Sequence, residues 1–283
     1  MKSLLKLFFV ITILGVFSCQ ENKKVISKNE EIEKVDSVAT ERIKVTDDEL
    51  DEEVQQALRE AKKKVKKDKD QTVANEEYEL KSKAYKSNLY VTIKHGNIFN
   101  NKDTHAIITI GSSYRNLICV YYYNKSEGAD SLETLLYTDR YHNIHDGDTI
   151  QDVNGDKNKD FIVKWYPMSG CCLAEMRDVY LFRSKTELSE KYHFLNPTFY
   201  PKEKVIRGIE YGYDAPLYKY KWNGLRIDTL EYIHKNLEDS TKTTYWKTKN
   251  WTGDYNLRNI KKTKLNSIPK EYYSIDNFDV FED

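Results

Sequence analysis

The chain has 283 residues, 45 basic and 45 acidic side chains, and 22 tyrosines. Its zero formal charge excludes nucleic acid as the main partner, because that role needs a concentrated basic surface. The length allows one or two domains. The tyrosine excess suits half-buried strands, where a ring packs on one side and its hydroxyl stays wet.

The first residues have the order of a secretory signal: Lys2 and Lys6, an apolar run over 7–17, then Val16-Phe17-Ser18-Cys19. The run is shorter than the roughly 20 apolar residues that a membrane-spanning helix needs. The segment resembles a bacterial lipobox. That resemblance implies a signal peptide over 1–18 and a mature N-terminus at Cys19 carrying acyl chains. More than one chain is needed for stable anchoring. Gln20, in place of the aspartate that similar inner-membrane lipoproteins carry, implies the outer membrane, on its periplasmic or surface side. Three cysteines remain, Cys119, Cys171 and Cys172. In an oxidising compartment one bridge is expected, from Cys119 to one of the adjacent pair or between Cys171 and Cys172.

Residues 19–77 form a charged tether with no Gly, Pro or Trp and no aromatic residue before Tyr78. Such a composition buries too little apolar area for a core of its own. Thr46-Asp47-Asp48-Glu49 has the pattern of a capping box, and a helix near 46–67 ends in lysines that suit its dipole. Leu50, Val54, Ala57, Leu58, Ala61 and Val65 make a thin stripe at helical spacing. The expectation is a solvated helix inside an arm that lifts the body off the membrane.

From Tyr78 the period changes to two, and residues 78–283 are expected to form an all-β domain. Strand-like runs lie at 89–93, 106–110, 117–123, 161–165, 179–182, 209–211 and 217–222. In the last, Tyr218, Tyr220 and Trp222 share one face and Lys219 and Lys221 the other, as in a half-buried antiparallel strand. Trp222-Asn223-Gly224-Leu225 then turns the chain into a returning strand over 225–230. Residues 245–251 suggest a further strand, and 275–281 a closing strand or a docked tail. The fold class is an antiparallel meander, either a small propeller-like array or an irregular sandwich.

One stretch carries chemistry. Asp152, Asn154, Asp156, Asn158 and Asp160 place oxygens at every second position of a loop that leads into the 161–165 strand. Calcium takes six to eight oxygens at flexible distances, which such a loop can supply. Gly155 supplies the backbone freedom the curl needs. A strand follows instead of a helix, and Val163 stands where an EF-hand needs glutamate, so this is not an EF-hand. The run is similar to the calcium loops of VCBS and FG-GAP repeats, with Lys157 in place of a usual glycine. The resemblance implies a structural Ca2+ of modest affinity. A fainter copy, residues 97–105, precedes the 106–110 strand and keeps only Asp103 among its carboxylates, which suggests stacked hairpin units.

Other motifs are weaker. The stretch 142–148, with His142, His145, Asp146 and Asp148, has no further ligand nearby and is expected to be a solvated turn. There is no Gly-x-Ser-x-Gly elbow, phosphate-cradling glycine loop or His-Glu-x-x-His. The functional expectation is a membrane-anchored, calcium-stabilised, non-catalytic binding or structural module of the bacterial envelope with a protein or glycan ligand. The alternatives are an envelope hydrolase assembled only in the fold and a glycan-binding lipoprotein.

Overall fold

A computed structural model describes residues 47–67, 73–84, 87–125, 130–168, 175–212, 214–237, 242–250 and 260–282. The signal, Cys19 and most of the expected arm lie outside the described residues, as do Cys171 and Cys172.

Helix α1 spans Asp47–Lys67. Sheet I is a meander of β1 (Val73–Lys81), β2 (Asn88–Gly96), β3 (His105–Gly111), β4 (Arg115–Asn124) and β5 (Ser131–Tyr141). Sheet II follows with β6 (Asn143–Gln151), β7 (Asp160–Pro167) and β8 (Met176–Tyr180). A small hairpin, β9 (Phe182–Ser184) and β10 (Glu187–Leu188), leads to β11 (Tyr192–Leu195), which completes sheet II beside β8. Sheet III runs in chain order through β12 (Pro197–Tyr200), β13 (Val205–Ile209), β14 (Leu217–Asn223), β15 (Arg226–Lys235), β16 (Tyr245–Thr248) and β17 (Lys262–Leu265). Every pairing is antiparallel. The chain closes with a 3-10 turn at Lys270–Tyr272 and α2 (Asp279–Glu282).

These elements stack as layers. Val54, Ala57, Leu58, Ala61 and Val65 of α1 pack on Val91, Ile108, Leu117 and Cys119 of sheet I. The opposite face of sheet I, with Ile107, Ile118 and Val120, meets Phe161, Val163 and Trp165 of sheet II. The second face of sheet II, with Ile162 and Val179, meets Ile206, Tyr218 and Trp222 of sheet III. The far face of sheet III is covered by Ile268, Tyr272, Ile275 and Phe281 of the C-terminal segment. Sheets buried on both sides explain the near-continuous apolar runs at 106–110 and 117–123, where a one-sided sheet would alternate.

The antiparallel meander and the helix match the sequence, and three expectations are corrected. The helix is no solvated spacer: the stripe from Val54 to Val65 is at most 5 % exposed and belongs to the core, so the folded body begins at α1 and β1 and not at Tyr78. Arg115 fastens it, bonded to Asp51 of α1 and to Asp139 of β5, while Glu53 accepts the Lys83 N–H at 3.1 Å. The expected strand at 209–211 lies earlier, as β13, and the chain bends at Tyr211. The 142–148 stretch is no turn but the start of β6. His142, with φ of 61°, makes the corner from β5, and Asp146 is the extra residue of a bulge at the His145/Gly147 register shift. The tail at 275–281 docks rather than pairing as a strand.

Candidate functional site

Residues 152–160 form a tight loop held by its own hydrogen bonds. Asp152 accepts the N–H groups of Gly155 at 2.7 Å and Lys157 at 3.0 Å. Asn154 Oδ1 accepts the Asp156 N–H at 3.0 Å, and Asp156 Oδ1 accepts the Asn158 N–H at 2.7 Å. Short polar side chains capping nearby amides in this way stabilise a turn without other help. Gly155 has φ of 74°, and a Cβ there would sit 2.2 Å from the Pro201 carbonyl oxygen. Lys157 also has φ of 74°, which supplies a backbone reason for the glycine usual at that position.

The fifth expected ligand faces another way. Asp160 is fully buried, with Oδ2 accepting the Val153 N–H and Oδ1 the Phe182 N–H, each at 3.0 Å. It ties the loop to β9. Burial lifts its carboxyl to about 7, opposed by the two N–H bonds and reinforced by the negative charge of Asp156 and Asp152. Each of its oxygens thus accepts one main-chain N–H. Asp152, Asn154, Asp156 and Asn158 remain together at the loop tip. Among the described residues no group of three or more His, Cys, Asp or Glu is placed to hold a metal ion. Cys119 is a free, buried thiol on β4, and the partners expected for its bridge, Cys171 and Cys172, lie outside the described residues; burial pushes the thiol up to about 11.

A concavity lies elsewhere, between sheets I and II. It is an open groove of about 700 Å³. Sheet II packs under β3 and β4, while Tyr90, Thr92 and Lys94 of β2, on the same face, line the groove. Its other wall is β6, the last strand of sheet II, which contributes Ile144, His145, Asp148 and Ile150. Tyr90 and Ile144, both at the groove, are 55 % and 51 % exposed.

The polar groups of the groove converge on Asp148. Its Oδ1 lies 2.9 Å from His145 Nε2 and its Oδ2 accepts Thr109 Oγ1 at 3.4 Å. An ionised carboxylate only accepts, so the proton of a neutral His145 sits on Nε2. Behind the pair, His145 rests on Trp165 with ring centroids 5.5 Å apart. Trp165 donates Nε1–H to the buried Asp178 at 3.0 Å, and Asp178 also holds Arg140 and, at 2.7 Å, His193. The groove wall is therefore braced from the core.

Of the residues singled out from sequence, His145 and Asp148 enter this groove, while His142, at the corner before β6, and Asp146, on β6, stay exposed. Asp148 and Thr109 were not legible as a pair, because strands 39 residues apart bring them together. Tested against protein-family models, curated proteins and solved structures, the chain shows no match.

Proposed function

We propose that this protein is a non-catalytic binding module of the bacterial cell envelope, held to the outer membrane through a lipidated Cys19, with the groove between sheets I and II as its ligand seat. One observation carries the reading: a groove of ligand size, walled by a sheet edge and furnished with an exposed aromatic ring and an ordered His–Asp–Thr set. Calcium enters it as a brace on the loop tip formed by Asp152, Asn154, Asp156 and Asn158, with Asp160 outside the ligand set. The brace is structural, and the loop's own hydrogen bonds are what an ion would have to replace. Tyr90 favours a second reading, in which the seat holds a glycan by ring stacking.

The test is a photo-crosslinking amino acid placed at Thr92 of the full chain in its own envelope, with the exposed Lys221 position as control. A discrete adduct from position 92 and none from 221 is expected. Silence at 92, or the same adducts from both positions, would remove the groove as the seat.

A further inference from the structure

We infer that the groove receives an uncharged, extended polypeptide segment, which adds as a strand to the free edge of β6. The inference rests on the reading of the groove as the ligand seat and names the class of ligand.

Sheet II ends at β6, so one side of this strand has no partner strand among the described residues. The register shows which main-chain groups face that side. Asn143 lies opposite Pro167, which has no N–H and cannot complete a hydrogen-bonded pair. Consistent with this, the Asn143 carbonyl accepts Asn116 Nδ2 of sheet I at 2.9 Å. Antiparallel pairs alternate, so His145 also points away from β7. The bulge at Asp146 shifts the alternation by one residue, and beyond it Asp148 and Ile150 turn their N–H and C=O groups outward. Exposure agrees independently: Asp148 is exposed as a residue although its side chain is only 20 % exposed, so its main chain is what meets solvent. Asp148 and Ile150 both line the groove.

Two residues at i and i+2, each offering a donor and an acceptor along one edge, match the repeat of a β-strand, which would lie about 4.8 Å away. A sugar has hydroxyls but no such repeat. The site is where sheet II lacks a strand opposite β2. Ile150 offers apolar contact to a side chain of the incoming strand, and Thr92 offers a hydroxyl. Glu76 of the groove is paired with Lys64 of α1. Asp148 is engaged with His145 and Thr109, and Lys94 and Glu77 lie diagonally across the β1–β2 pair. A neutral segment of alternating apolar and hydroxyl residues is the complement.

The experiment uses the mature chain with amide exchange at Asp148 and Ile150 read by NMR. Three probes are compared: an alternating Val-Thr hexapeptide, the same peptide N-methylated at alternate residues, and chitohexaose. The expected result is at least about tenfold slower exchange at both amides with the first peptide and none with the N-methylated one. Equal protection by the two peptides, or none at millimolar concentration, overturns the inference. Chitohexaose shifting Tyr90 and Thr92 while both peptides leave them unmoved would also overturn it, yet would leave the groove standing as the seat. Silence of all three probes together with no adduct from position 92 would sink both.

Discussion

Asp160 and Phe182 are 22 residues apart, yet the Asp160 carboxylate accepts the Phe182 N–H at 3.0 Å inside the core. The same carboxylate caps Val153, so one side chain closes the acidic loop and pins β9 against sheet II. Asp160→Ala leaves two buried N–H groups without acceptors, at about 1–3 kcal/mol each. The unfolding free energy measured in urea is expected to fall by that amount equally in calcium and in chelator. Asp156→Asn is expected to change only the difference between the two conditions, since its carboxylate sits at the tip. A loss in Asp160→Ala that calcium alone sets would place this residue in the ion's ligand set after all.

The pair Arg140–Asp178 joins sheet I to sheet II, and Asp178 is fully buried. Removing one partner of a buried pair costs about 3–5 kcal/mol because the other charge is stranded. Arg140→Met is expected at the low end of that range, since Trp165 and His193 still donate to Asp178. Arg140→Met with Asp178→Asn is expected to be less damaging than the two single losses added. A double-mutant cycle in urea measures the difference, and strict additivity would contradict the pairing.

His234 is buried on β15 beside Thr248, and burial lowers its imidazole to about 4. The folded state thus holds the ring neutral while the unfolded chain takes up a proton below about 6.5. Stability from this residue is complete above 6.5 and is lost as pH falls toward 4, by about 3 kcal/mol in all. Asp160 acts with the opposite sign, since its raised carboxyl keeps a proton in the fold and its contribution declines as pH rises through about 7. The comparison that isolates His234 is therefore wild type against His234→Gln across pH 4–7. The variant is expected to lose the acid-side fall, and an unchanged slope would refute it.

Helix α1 behaves as core. Leu58 is 5 % exposed in the cluster with sheet I, and Leu58→Ala is expected to cost about 2–4 kcal/mol. A chain begun at residue 68 would expose Val91, Ile108 and Leu117, and is expected to associate or fail to fold. If such a chain stayed monomeric with an unchanged denaturation midpoint, the helix would be only a spacer.

The sequence by itself determined the local states that depend on neighbours along the chain. The helical stripe of α1, the apolar runs of β2, β3, β4 and β7, and the turn at Gly224 follow from periodicity and backbone preference, and they appear where expected. The acidic loop was legible as a bend for the same reason. Tertiary structure alone decided what those pieces do. The thin stripe of α1 looked too weak to be buried until a sheet supplied its other half. β6 is polar enough to read as a turn, and only pairing with β7 makes it a strand. Whether Asp160 faces an ion or two amides depends on where Phe182 arrives, and the joining of Thr109, His145 and Asp148 depends on how two sheets lie. Contacts between distant residues are set by packing, which leaves no spacing in the chain to read.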